Sequence, residues 1–297
     1  MTMRILLFTM LPFVCFSQVS PKEDILSNNN PSIERENMAT NRNAQYNLEE
    51  IKVRWKKAAL ENCPGVPCVV APPAPSFTCG TSTVTDFDGN AYNTVAIGTQ
   101  CWTKENLKVT KYNDGTAIPD ETSNTTTWGG LLIGVRAFDP IDPSYVQTYG
   151  YLYNWFAAKG ITVAGSTSYK NICPLGWHVP SDSEWTILIK SIDPTAIDMA
   201  LTPTYQSTTA GENMKLNGAP WNSLSVVSNN STGFSVLPAG QRANSYMTGA
   251  TLNAYFWSST FDAFNRSFAR RFNSALNFVE RTSQTYTEGF SIRCLKD

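Results

Sequence analysis

Two cysteines far apart in the chain, Cys173 and Cys294, constrain the fold more than any other feature. Cys173 opens the block Cys173-Pro-Leu-Gly-Trp-His-Val-Pro-Ser-Asp-Ser-Glu-Trp185, and Cys294 closes the block Gly289-Phe-Ser-Ile-Arg-Cys294. The first block reads as a turn, an aromatic core strand and a capped helix. The second reads as a terminal strand. Spacing favours a Cys173–Cys294 bridge, which ties that strand to the helix-bearing half. In the chain-entropy picture such a long loop is worth about 4–5 kcal/mol.

The N-terminal residues set the compartment. Arg4 precedes an apolar run from Ile5 to Phe16, broken only by Thr9 and Pro12, and Ser17-Gln18 begins a polar stretch. This is the pattern of a secretory signal peptide over 1–17, cleaved after Ser17 and too short to span a bilayer. Lipidation at Cys15 fits less well, because Val14 precedes it and Pro12 stands three positions upstream. No later segment is apolar enough for a span. The remaining cysteines are Cys63, Cys68, Cys79, Cys101, Cys173 and Cys294. An even set in an exported chain reads as disulfides. Spacing favours Cys63–Cys68 and Cys79–Cys101 beside the long bridge.

A net charge of −1, with 16% charged residues, offers no basic stripe of the kind nucleic acids require. Eight Trp and twelve Tyr are more than the helices and strands need. Most of these rings should fill a core built largely from loops, and some should face a ligand.

Residues 18–44 are polar and Asn-rich and read as disordered or loosely attached. Asn47 and Glu50 have capping-box spacing, and Leu48, Ile51, Trp55 and Ala59 share a face, so a short helix is expected over 48–61. Cys63-Pro-Gly-Val-Pro-Cys68 ends it, and Ala71-Pro-Pro-Ala-Pro75 forms a stiff linker. The domain boundary is placed near 76–80. This divides the chain into a signal peptide (1–17), a polar segment (18–82) and a folded domain (83–297).

Within that domain, Thr83–Phe87 and Ala91–Ile97 flank Asp88-Gly89, a strong hairpin signal. Gly98 ends the second strand, and Gln100-Cys101-Trp102 starts another. Residues 110–150 read as loops, and 151–158 as a short helix. Ser181 and Glu184 form a capping box, followed by Trp185, Leu188, Ile189 and Ile192 on one stripe, with a stop at Asp193-Pro194. Strand-prone runs follow at Phe234–Leu237, Tyr255–Ser259, Phe268–Phe272 and Phe290–Leu295. The class is α+β, with few helices, small sheets and much loop.

Two further groups bear on chemistry. His178 is the sole histidine. Its place between Trp177 and Val179, next to a helix cap, suits a structural role better than general-base catalysis. Asp86-Phe-Asp88-Gly89-Asn90 has the start of a calcium loop, but Val95 stands where the closing Glu belongs, and a hairpin turn accounts for the same residues.

The motifs Gly89-Asn-Ala-Tyr92, Val95-Ala-Ile-Gly98, Trp102-Thr-Lys-Glu-Asn-Leu107, Gly150-Tyr-Leu-Tyr-Asn-Trp155, Leu237-Pro-Ala-Gly240, Phe256-Trp-Ser-Ser259 and Ser291-Ile-Arg-Cys294, together with the Cys173–Trp185 block, occur in order. In this arrangement the chain resembles the Fibrobacter succinogenes major paralogous domain over roughly 83–297. The resemblance implies a C-type lectin-like fold with close termini, two helices and long variable loops. It also implies a secreted or cell-surface protein of a Bacteroidota-type bacterium, and no established activity. Lectins of that fold bind sugar through calcium with Glu-Pro-Asn or Gln-Pro-Asp and a later Trp-Asn-Asp. None of these triplets occurs here, and Trp221-Asn222-Ser223 is the nearest. Formylglycine-generating enzymes are similar around Trp177–Trp185, but their reactive cysteine pair has no counterpart between Cys173 and Cys294.

The expectation is therefore an exported, non-catalytic binding or adhesion module. It would act outside the cell, at the outer-membrane surface or in the periplasm, on a glycan or a protein. It needs no cofactor, metal or calcium, binds no nucleic acid, and has no transmembrane segment in the mature chain. Tyr205, Trp221, Asn222, Tyr246, Asn253 and Tyr255, in Ser/Thr/Gly-rich connections between about 200 and 260, are the candidate ligand-binding residues. The alternatives are a structural subunit of an extracellular assembly, with 18–82 as a docking arm, and a formylglycine-generating-enzyme-like oxidase.

Overall fold

The computed structural model describes residues 76–297, except 125, 143, 199–203, 219, 223–227, 244–245, 263 and 265. The signal peptide, the 48–61 helix, the Cys63–Cys68 bridge and the 71–75 linker lie outside the described residues.

Local signals account for the first sheet. β1 (Thr83–Thr85) and β2 (Ala91–Ile97) pair antiparallel around the Asp88-Gly89 turn, with Val84 opposite Tyr92. β2 alternates exposed and buried residues, as a strand with one covered face must. Gly98 turns the chain into β3 (Gln100–Thr103) at φ +58, where an added Cβ would lie 2.5 Å from Ser191 Oγ. Both the backbone angle and the close approach demand glycine there.

The following segment, expected to be loops, is irregular but not peripheral. Tyr112, Trp128, Val135 and Tyr145 are buried along it. It holds β4 (Arg136–Ala137) and α1 (Tyr145–Tyr149). The helix expected over 151–158 is a two-residue strand, β5 (Leu152–Tyr153), followed by α2 (Trp155–Lys159). Asn154 divides them, because its side chain caps α2 by accepting from the Ala157 N–H.

β6 (Trp177–His178) leads into α3 (Asp182–Ile192), the longest helix among the described residues. Both halves of its capping box form. The Ser181 side chain accepts from the Glu184 N–H, and Glu184 accepts from the Ser181 N–H at 2.7 Å. Trp185, Leu188 and Ile189 are wholly buried, and the helix ends at Asp193 as the sequence indicates.

β7 (Thr204–Ser207) and α4 (Ala210–Met214) come next, then the hairpin of β8 (Gln241–Ala243) and β9 (Tyr246–Thr248). Phe234–Leu237 makes only an isolated bridge, Val236 to Lys215. The long strands are β10 (Asn253–Phe261), β11 (Arg266–Asn273) and β12 (Val279–Thr285), and β13 (Leu295–Lys296) closes the chain.

The two larger sheets run β1-β2-β3-β13-β6 and β10-β11-β12-β7. Among the described residues there are four α-helices, two more than the family resemblance implied. The architecture is α+β. Cys79–Cys101 and Cys173–Cys294 are bonded as expected.

The expected strand over Phe290–Leu295 is regular only at its end. Phe290 and Ser291 form bridges, and all six residues are buried, with Phe290, Ile292 and Cys294 in one core cluster and Arg293 and Leu295 against another. Arg293 explains this. Its guanidinium donates to Asn106 Oδ1 at 2.7 Å and to the carbonyls of Thr103, Phe234 and Ser235. These bonds bind both sheets' loops to the closing segment. Burial pulls Arg293 down to about 9, and Glu105 counters part of that shift.

α3 packs against β2, β10 and β11, with Trp185 between Trp102 and Phe256. At its first turn Asp182 receives Arg270 and Arg281, all three side chains being buried. This pins the inner face of the four-stranded sheet; the other face carries Arg271 and Glu280 toward one end and the buried Trp257–Ala269 pair toward the other.

Candidate functional site

Strand register determines which side chains meet on that other face. Tyr255 is opposite Arg271, Arg271 opposite Glu280, and Glu280 opposite Tyr205, so the four form a row across β10, β11, β12 and β7. Directly opposed residues of antiparallel strands share a face. The next pair along is Asn253 opposite Asn273.

The row is joined by hydrogen bonds. Arg271 Nη1 donates to Glu280 Oε2 at 2.9 Å. Arg271 Nε and Nη2 donate to Asn253 Oδ1 at 3.3 and 3.1 Å, and Asn273 Nδ2 donates to the same oxygen at 2.9 Å. The Arg271 guanidinium lies 5.9 Å from the Tyr255 ring centre, and Tyr255 stacks on Phe290 at 4.7 Å and 15°. At the far end Tyr205 leans on Phe278 at 4.5 Å and is 48% exposed. Burial raises the Tyr255 hydroxyl above its ordinary pKa; Arg271 opposes this, while Glu280 and Glu288 add to it. At neutral pH it therefore keeps its proton and can donate. The result is two tyrosine rings flanking an amide, guanidinium and carboxylate array of fixed geometry.

Three of the six expected residues, Tyr205, Asn253 and Tyr255, come together here, on strands rather than in the connections where they were expected. Trp221 does not. It is 6% exposed and packs in the core, 5.6 Å from Lys215 Nζ, so it is no exposed recognition ring. Lys215 is fully buried, donates to the Asn273 and Leu276 carbonyls, and is drawn down to about 8 by burial, with Glu212 opposing. Asn222 is exposed but lies outside the row, its N–H donating to the Thr251 carbonyl. Tyr246 is 61% exposed on the separate β8–β9 sheet.

Sequence reasoning missed Arg271, Asn273 and Glu280. β12 reads Val-Glu-Arg-Thr-Ser-Gln-Thr, with one apolar residue in seven, so its strand signal is faint. The available clue was the spacing of Phe272 and Val279 around the polar turn, which pairs them across a hairpin and brings Arg271 opposite Glu280.

Other groups are committed elsewhere. Asp86 accepts from Asp88 N–H, Asn90 N–H, Asn90 Nδ2 and Tyr92 OH, and Asp88 accepts from Thr110, so the hairpin turn uses the residues of the calcium-like motif. Among the described residues no three His, Cys, Asp or Glu side chains are grouped to hold a metal ion. His178 lies between Asp297 at 2.6 Å and Glu184 at 3.0 Å, so both ring nitrogens have partners. A cavity of about 350 Å³ beside α3 is lined by Ser183, Thr186, Ile187, Lys190 and Asp198. Its two charged groups pair with each other at 2.5 Å, and it does not reach the row.

The model of the Fibrobacter succinogenes major domain matches residues 95–296, most of the chain. The chain belongs to this family. The match takes in α3, both disulfide-linked residues Cys173 and Cys294, and the whole Tyr255–Tyr205 row of this Fibrobacter succinogenes major domain. It begins inside β2, whose hairpin partner β1 precedes it. No curated protein and no solved structure matches the chain. No helix among the described residues is long and apolar enough to cross a membrane.

Proposed function

We propose that this Fibrobacter succinogenes major domain is an exported, non-catalytic binding or adhesion module of C-type lectin-like fold, and that it holds a glycan without calcium. The observation that carries this reading is the Tyr255–Arg271–Glu280–Tyr205 row. Aromatic faces stack on the apolar faces of sugar rings, and planar amide and charged groups hydrogen-bond to hydroxyls. Because Arg271, Asn253 and Glu280 are already held by one another, little side-chain entropy is lost when a ligand docks.

The two disulfides suit an oxidising compartment outside the cytoplasm. Small antiparallel sheets, short helices and two disulfides among the described residues are compatible with the lectin-like reading of the fold. The non-catalytic reading rests on the sequence, where the reactive cysteine pair of the similar oxidases has no counterpart between Cys173 and Cys294.

The test is a glycan array with the mature chain, with and without a chelator, followed by titration of Tyr205→Ala and Arg271→Ala. Binding that survives the chelator and is lost in both variants, while Tyr205→Ala melts as the parent does, supports the proposal. Binding abolished by chelation refutes the calcium-independent part. A chain that binds no glycan and assembles by itself on size exclusion would instead be a structural subunit of a surface assembly.

A further inference from the structure

The charge balance of the row narrows the ligand class, on the reading that this face binds a glycan. Arg271 is the cation of the row, and three of its five N–H groups are engaged within it. One arm donates to Glu280 Oε2 at 2.9 Å, while the other and Nε donate to Asn253 Oδ1. Glu280 already compensates the guanidinium, so an incoming carboxylate or sulfate meets a paired rather than a free cation.

Glu280 offsets that cation within the row and presents its own carboxylate to a ligand. The Tyr255 hydroxyl lies near Arg271 and Glu280, with Glu288 as a further acid in its surroundings. Glu288 Oε2 is buried without a hydrogen-bond partner, and burial raises its pKa, so Glu280 is the firmer of the two charges. Like charges brought together in a partly desolvated site repel strongly. The Glu280 carboxylate uses Oε2 for Arg271, which leaves Oε1 as an acceptor, and the Tyr205 and Tyr255 hydroxyls can donate or accept. Sugar hydroxyls complement such an array because each both donates and accepts.

We infer that the row recognises neutral, polyhydroxylated sugars and discriminates against uronic-acid and sulfated glycans. Arg271 acts here as a positioning residue that fixes Asn253 and Glu280, and Glu280 is the specificity-determining group.

The experiment compares neutral cello- and manno-oligosaccharides with oligogalacturonate by calorimetric titration of the full mature chain, at low and high ionic strength. The neutral probes should bind at least about tenfold more tightly at low salt, with the gap narrowing as salt screens the repulsion. Glu280→Gln, which leaves Arg271 uncompensated, should improve oligogalacturonate binding and weaken its discrimination. Two results overturn the inference while leaving a glycan function in place: oligogalacturonate binding as well as the neutral probes, or Glu280→Gln leaving the preference unchanged. Absence of binding to either class overturns both the glycan reading and this inference with it.

Discussion

Asp182→Ala should be among the most damaging single substitutions in the domain. Asp182 is the first residue of α3 and is 1% exposed, while Arg270 and Arg281 are 0% and 6% exposed. Its carboxylate accepts from Arg270 Nη1 at 2.6 Å, and from Arg281 at 2.8, 3.0 and 3.1 Å. Truncation removes these charge-assisted bonds and leaves two buried guanidiniums without their anion. It also removes a favourable negative charge at a helix N-terminus. Breaking a buried pair from one side costs about 3–5 kcal/mol. For a domain of this size, roughly 2–4 °C is lost per kcal/mol, so the melting temperature should fall by roughly 6–20 °C. Urea unfolding under non-reducing conditions should show a lower midpoint with an unchanged slope. The triple variant Asp182→Leu, Arg270→Met, Arg281→Leu separates two causes. If the damage arises from uncompensated charge, the apolar triple should regain most of the lost stability. A single variant within about 1 kcal/mol of the parent would refute the reasoning, because buried-pair losses are larger than that. A triple variant as unstable as the single one would also refute it.

Three further outcomes follow from the packing. Trp185→Ala should cost about 3–5 kcal/mol in thermal unfolding, since its ring is wholly buried between Trp102 and Phe256. Cys294→Ala should cost about 2–5 kcal/mol by loss of the long bridge, and peptide mapping should find Cys173 newly reactive to alkylation. Asp193 is held below its ordinary value of 3.8 by hydrogen bonds from Ser207 and Thr195, with burial opposing. A folded pKa lying below the unfolded one means that its stabilisation is complete above 3.8 and is lost as pH falls through the folded value. Asp193→Asn should therefore flatten the acid limb of a stability–pH profile while moving the neutral plateau downward. An acid limb identical to that of the parent would contradict this.

What was legible in the sequence was short-range. Ser181 and Glu184 stand three residues apart, and the cap depends on that spacing whatever surrounds it. Asp88-Gly89 likewise determines a turn from its own backbone preferences. The Cys79–Cys101 and Cys173–Cys294 pairs follow from an even cysteine set and relative position. Each of these signals is complete within a few residues or in a covalent bond.

Side-chain neighbourhoods across strands were decided only by tertiary structure. Tyr255 and Tyr205 end the same row because three antiparallel registers happen to align, and one residue of slippage in any strand would turn its side chain to the opposite face. Trp221 and Tyr246 look alike in sequence, as aromatic rings in polar connections, yet one packs beside a buried lysine and the other stands in solvent. Burial depends on what the rest of the chain brings to a position, and no local pattern carries that information. The sequence alone therefore determined class, caps and two disulfide pairs, while register and packing chose which of its aromatic and amide residues could act together.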